Sequence, residues 1–280
     1  MFTPQYQTVP SQSSNQSNAR KWKLDGTLQE GTFIASMLMQ FITLVVSFVA
    51  LVQGNMPSVL MTIVWLELIV QFVELVWYSW IAYRYLEGGD KTIPIHYRYF
   101  DWVITTPIMM TSITLFVLWD ADKTCDNVLG EASRVVALVV IILMDIIMLS
   151  VGFAYESRWD ALAPIRAFYD MLLCNFRPNA GLWLGWVPFL GVFTPLFVII
   201  AQPKTNTGWG VTSVLLTFSA WALYGVVALL GSEGVWIDET RNSAYNVLDI
   251  FSKNAVGLIV SSVAISNDFN MTAPNNCTTF

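Results

Sequence analysis

The stretch Val247-Leu-Asp-Ile-Phe-Ser-Lys-Asn-Ala-Val-Gly-Leu-Ile-Val260 sets an aspartate and a lysine four residues apart inside an apolar run. It belongs to a longer segment, 242–266, of the length needed to cross a bilayer. A charged side chain near the middle of a span costs about 2.5–3.5 kcal/mol on insertion scales and marks function by default. The amine of Lys253 lies far from either end of the segment, so it must be paired, deprotonated or covalently used. Lysine in a desolvated pocket readily forms Schiff bases. Asp249, one turn earlier on the same face, can serve as its counterion. Taken alone, the pair reads equally well as a structural ion pair inside a bundle.

Working outward, six more apolar segments precede this one, at 31–52, 57–85, 99–119, 133–155, 181–202 and 211–231. Only helices or closed barrels satisfy the backbone in lipid, and runs this long without alternation are helical. The 280-residue chain is 55% hydrophobic and only 12% charged, with a mean hydropathy of +0.55. Soluble domains carry about 25% charged residues. The expected fold is therefore an all-α membrane protein, a seven-transmembrane helix bundle over 31–266, flanked by an N-terminal tail (1–30) and a short C-terminal tail (267–280).

The remaining composition excludes several function classes. A net charge of −6 with no basic cluster argues against nucleic acid as a partner. Cys125, Cys174 and Cys277 are widely spaced, without metal-ligand or redox spacing, and His96 sits in a polar connection. No metal site is expected. Residues 1–25 are polar with a basic end and lack the pattern of a secretory signal. The sequons at Asn15 and Asn270 read as chance. Segment 156–180 is the unusual connection, either an interfacial amphipathic helix or an early start to the fifth span.

Further charges lie within the apolar segments. The third carries Asp101, with Arg98 three residues earlier; the second carries Glu67 and Glu74, and the fourth Asp145. Asp101, Thr105 and Ser112 fall at i, i+4 and i+11, about three helical turns along one face. A polar stripe leading away from a buried carboxylate suits stepwise proton movement or a wetted ion path.

Here the motifs become specific. Arg98-Tyr-Phe-Asp-Trp-Val-Ile-Thr-Thr-Pro107 resembles the third helix of the microbial rhodopsins, and Leu248-Asp-Ile-Phe-Ser-Lys253 their seventh. Trp221-Ala-Leu-Tyr224 with Gly231-Ser-Glu-Gly234 is similar to the sixth helix and the loop after it, and Asp145-Ile-Ile-Met148 with Gly152 to the fourth. The resemblance implies that Lys253 holds all-trans retinal as a protonated Schiff base. Asp101 would be the primary counterion and proton acceptor, held by Thr105, and Asp249 the second counterion. Arg98 would couple them to the release side. Trp102, Thr106, Met109, Met148, Gly152, Trp221 and Tyr224 would wall the pocket. With twelve tryptophans in the chain, ordinary packing competes for any one of them, and position in the motif selects Trp102 and Trp221. Met109 implies green absorption. Gly185 or Trp186 takes the place where some relatives set a tryptophan beside the ring.

The third motif position is Ser112, where efficient pumps carry an acid. Asp-Thr-Ser is the combination of one group of giant-virus rhodopsins. A serine hydroxyl cannot supply the proton, and Glu67, at the depth of Ser112 if Tyr78 lies opposite Asp101, is a surrogate donor. Glu233 matches a release carboxylate, with Glu239 the nearest partner, and Glu74 would lie near the retinal level. The resemblance implies a light-driven outward proton pump rather than an enzyme. The alternatives are a light-gated cation channel, suggested by Ser112 and the two acids of the second segment, and a photosensor. Loop charges favour an N-terminus inside, whereas the resemblance implies one outside. Relatives form trimers or pentamers in the lipid bilayer. Lys253→Ala should form no visible pigment when retinal is added; visible absorption persisting in that variant would overturn the anchor assignment.

Overall fold

The computed structural model describes residues 28–54, 56–87, 93–123, 127–157, 159–172, 180–202 and 208–266. The tails at 1–27 and 267–280, both sequons and all three cysteines lie outside the described residues. Among those residues the secondary structure is helical throughout, and seven helices are long and apolar enough to cross a membrane. The chain is an all-α membrane protein with a seven-helix bundle.

The helices are α1 (Leu28–Gln53), α2 (Ser58–Glu87), α3 (His96–Ala121), α4 (Ala132–Glu156), α5 (Ala163–Leu172), α6 (Trp186–Ile200), α7 (Trp209–Ser232), α8 (Asp238–Asp249) and α9 (Ala255–Ser266). One π turn, Ile250–Asn254, joins α8 to α9, and the three form a single crossing, Asp238–Ser266. A 3-10 turn, Ala180–Gly185, leads into α6. The last crossing starts earlier than apolarity alone predicts, at Asp238 rather than 242. Asp238 and Glu239 stand in its first turn, where negative charge suits the helix dipole.

α5 resolves the 156–180 connection in its described part as a helix of its own, separate from α6. It is anchored on one side, where the Tyr155 hydroxyl donates to Asp170 Oδ1 (2.8 Å) and Arg166 Nη1 to the carbonyl of Ala154 (2.9 Å). Ile165, Phe168, Met171 and Leu172 stay exposed on it.

α3 runs through the middle, packed by α2, α4 and α7. From Ser112 to Trp119 every residue of α3 is buried, and Phe116 and Trp119 stack at 6.0 Å. This end is the apolar core, with Phe189, Val192, Phe193 and Leu196 of α6 and Val214 of α7. The polar groups of α3 gather toward its other end. On the outside, Phe41, Phe48, Phe72, Val136 and Val198 are exposed. Apolar residues outside and polar ones within suit a bundle in hydrocarbon.

Close approach of α3 and α7 depends on Gly210. A Cβ there would lie 2.9 Å from Val117 Cα, a backbone atom that cannot swing aside. The same amide donates to Asp120 Oδ2 (2.9 Å), which stands at the positive end of α7. Gly210→Ala should therefore destabilise the bundle by about 1–3 kcal/mol through overpacking, read as a lower unfolding midpoint in detergent. An unchanged midpoint would contradict the contact.

Candidate functional site

Lys253 projects from the π turn, a backbone irregularity common at functional sites. Its Nζ lies 2.7 Å from Asp101 Oδ2, 3.4 Å from Glu74 Oε1 and 3.7 Å from Asp249 Oδ1. Three helices thus bring three carboxylates to one amine, and all four side chains are buried. Thr105 donates its hydroxyl to the main-chain carbonyl of Asp101 (3.0 Å).

Asp249 is the most heavily tied of the three. It accepts hydrogen bonds from the hydroxyls of Tyr78 and Tyr224, and from Arg98 Nη1 (3.2 Å). Arg98 in turn donates to Tyr78 Oη (2.9 Å), Asn242 Oδ1 (3.1 Å), the Asn242 carbonyl (3.2 Å) and Asn246 Oδ1 (2.5 Å). A fully buried guanidinium needs this many partners, because each unpaired donor would cost about 1–3 kcal/mol or more.

Asp145 accepts from the Thr106 hydroxyl (2.8 Å), tying α4 to α3. Deeper toward the apolar core, the Ser112 hydroxyl donates to Glu67 Oε1, so those two residues do lie at one depth. The Tyr78 hydroxyl meets Asp249 and Arg98.

A cavity opens beside Lys253. Trp102, Thr106, Met148, Gly152, Trp221 and Tyr224 line it, together with Tyr99, Leu149, Gly185, Trp186 and Phe189. Trp102 meets the rings of Tyr224 and Tyr245 edge-on at 5.3 and 5.4 Å. A Cβ at Gly152 would lie 2.5 Å from the Tyr99 hydroxyl oxygen, so the glycine leaves room for that ring in the wall. Met109 lies in the apolar core and is not among the cavity-lining residues. Glu233 caps the end of α7 and is exposed, as is Glu239.

Sequence reasoning missed a second buried cluster. Glu156, at the end of α4, accepts from Tyr99 (2.6 Å) and Tyr245 (2.9 Å) and lies 3.4 Å from Arg241 Nη1. Glu156 and Arg241 stand just outside the apolar segments 133–155 and 242–266, where a charge reads as an ordinary helix end. Nothing in the local pattern pairs residues 85 positions apart. Gln71, fully buried on α2 between Glu67 and Glu74, was also passed over, although the i, i+4, i+7 spacing of the three was available.

Comparison with known proteins identifies the family. The family model for bacteriorhodopsin-like proteins matches residues 27–267. The chain belongs to that family, the microbial (type 1) rhodopsins, and is an integral multi-pass membrane protein. Members of the family bind retinal. The blue-light absorbing proteorhodopsin of Gamma-proteobacterium Hot 75m4 is 25% identical over 197 residues, 69% of each chain. The bacteriorhodopsin of Halobacterium salinarum is 30% identical over 176 residues, 62% of this chain and 58% of that one. Among solved structures, the viral rhodopsin OLPVRII superposes with a TM-score of 0.65 at 25% identity, covering 85% of this chain and 98% of its own. Halorhodopsin, a light-driven chloride pump, shares the fold at 20% identity, with a TM-score of 0.62 over 86% of this chain and 97% of its own.

Breaking one partner of a buried ion pair costs about 3–5 kcal/mol. Arg98→Gln and Asp249→Asn should each destabilise the protein on this scale. The double variant should lose less than the sum, by about 1 kcal/mol or more of coupling in a double-mutant cycle of unfolding in detergent. Simple additivity would show that the pair is not coupled.

Proposed function

We propose that the chain is a light-driven outward proton pump, with all-trans retinal bound to Lys253 through a protonated Schiff base. The observation that carries this reading is the 2.7 Å contact between Lys253 Nζ and Asp101 Oδ2. An acceptor in direct contact with the amine is what transfer off Nζ requires. The residues fit the chromophore: a largely apolar cavity, walled by aromatic rings and lined also by Gly152 and Gly185, ends on the amine. Retinal bound there supplies absorption of a visible photon and an isomerisation that alters the surroundings of Nζ.

The protein's own groups divide the remaining work. Asp101 takes the proton from Nζ, and Thr105 fixes the turn that presents it. Asp249, held by two tyrosine hydroxyls and Arg98, stays in place as the fixed second counterion. Arg98 stands between the carboxylates and Asn242 and Asn246, and so links acceptor and release side. Ser112, at the donor position, has no proton to give at this cost. Its hydrogen bond to Glu67 supports Glu67 as the acid that serves instead. Glu233, exposed at the end of α7, is the matching release carboxylate by sequence. Met109 supports green absorption by resemblance alone.

Outward transport sets the Arg98 end of α3 on the extracellular face, and hence the N-terminus outside. The exposed apolar belt meets the lipid bilayer, and the protein assembles as a homo-oligomer, a trimer or pentamer as in its relatives. A light-gated cation channel is the second reading, favoured by the two fully buried acids of α2, Glu67 and Glu74.

Photocurrent under voltage clamp separates the two. The pump should give outward current at zero ion gradient that keeps its direction over the accessible voltages. Current that reverses with the cation gradient would replace the pump with the channel.

A further inference from the structure

The charges at Lys253 do not balance by carboxylates and cations alone. Asp101, Asp249 and Glu74 face two buried cations, Lys253 and Arg98. A surplus charge in so buried a place is neutralised by a proton. Asp249 accepts three hydrogen bonds and Asp101 takes the shortest contact with Nζ. Glu74 is 3.4 Å from Nζ, and neither of its oxygens has a hydrogen-bond partner. It is the member least committed to holding a charge.

A second observation extends from it along α2. Glu67, Gln71 and Glu74 lie on one face over two turns, about 10 Å of helix rise, and each is fully buried. Glu67 Oε2, both amide atoms of Gln71 and both oxygens of Glu74 lack hydrogen-bond partners. Buried polar atoms are nearly always bonded, to protein or to internal water. So dense a run of orphans marks a polar column between the Ser112 level and the amine.

A third observation is independent of charge. Gly257, inside α9, faces this column: a Cβ there would lie 2.9 Å from Thr43 Cγ2 and 3.3 Å from both Gln71 Nε2 and Glu67 Oε2. A helix-interior glycine costs about 1 kcal/mol relative to alanine. Here it keeps open the space between the two side chains.

We propose that Glu74 is the group that returns the proton to Lys253 Nζ, and that Glu67 refills Glu74 along Gln71 and the space beside Gly257. In the first transfer the O–H bond of Glu74 breaks and an N–H bond forms on Nζ, leaving a carboxylate at Glu74. In the second, Glu67 gives its proton through internal water to Glu74 and is reprotonated from bulk water. This deepens the pump reading and rests on it for its direction.

The test uses the full-length protein reconstituted with all-trans retinal. Infrared spectra in the dark should contain a carboxylic-acid C=O band that shifts in D₂O and is absent in Glu74→Gln. After a flash, return of the proton to Nζ, followed in the visible, should slow at least tenfold in Glu74→Gln and recover partly in Glu74→Asp. In Gly257→Val the first transfer should stay near the wild-type rate, while recovery of the Glu74 band slows about tenfold. Proton return at the wild-type rate in Glu74→Gln, or the dark band persisting there, overturns the proposal. Should Glu74→Gln form no pigment, Gly257→Val decides: slowed band recovery supports the column, and unchanged recovery refutes it. Passive wild-type photocurrent would remove the pump, yet the Glu74 band would still report the relay, because exchange at Nζ does not require net transport.

Discussion

One buried amine organises this protein. An uncompensated ammonium in the interior of a bundle is among the most costly groups a fold can carry. Lys253 is made tenable by the carboxylates of Asp101 on α3 and Asp249 at the end of α8, with the Glu74 carboxyl group of α2 also 3.4 Å from its amine. Those carboxylates then impose their own demands, met by Arg98 and by the hydroxyls of Tyr78 and Tyr224. Arg98 in turn requires Asn242 and Asn246. In this chain of partners each polar group satisfies the one before it.

The same constraint divides the molecule along its length. At one end of α3 a hydrogen-bonded network reaches Asn242 and Asn246, and beside it a second buried cluster ties Tyr99 and Tyr245 to the Glu156–Arg241 pair. At the other end α3 is walled by aliphatic and aromatic side chains, interrupted on the α2 side by Glu67, Gln71 and Ser112. A densely bonded network resists rearrangement, whereas a sparsely bonded column in an apolar wall can change its occupancy at small cost. That asymmetry is what directional movement of a proton needs, since the two sides of the amine must not be equally accessible.

The π turn is the local device that makes the arrangement possible. In an uninterrupted helix Asp249 and Lys253 would be immediate i, i+4 partners. From the π turn, Nζ lies 2.7 Å from Asp101 and 3.7 Å from Asp249. The amine thus reaches α3 while keeping its i, i+4 partner, and Asp249 also holds Arg98 and the two tyrosines.

Much of this was legible in the sequence. Seven long apolar runs dictate helices, because backbone groups in hydrocarbon must bond within their own segment. Charges inside those runs single out Lys253, Asp101, Asp249 and Glu67, because a charge in a span needs a reason. What the sequence could not decide is which distant charges meet. The spacing along α2 placed Glu67 at the level of Ser112, but only the packed helices bring the Tyr78 hydroxyl to Asp249 and Arg98. Periodicity carries no sign of a π turn, since one extra residue leaves an apolar run apolar. Nor does it pair Glu156 with Arg241 or set Gly257 against Gln71. Membrane insertion depends on each segment's own composition and is therefore written locally, but the balance of buried charge is settled only when the helices pack against one another.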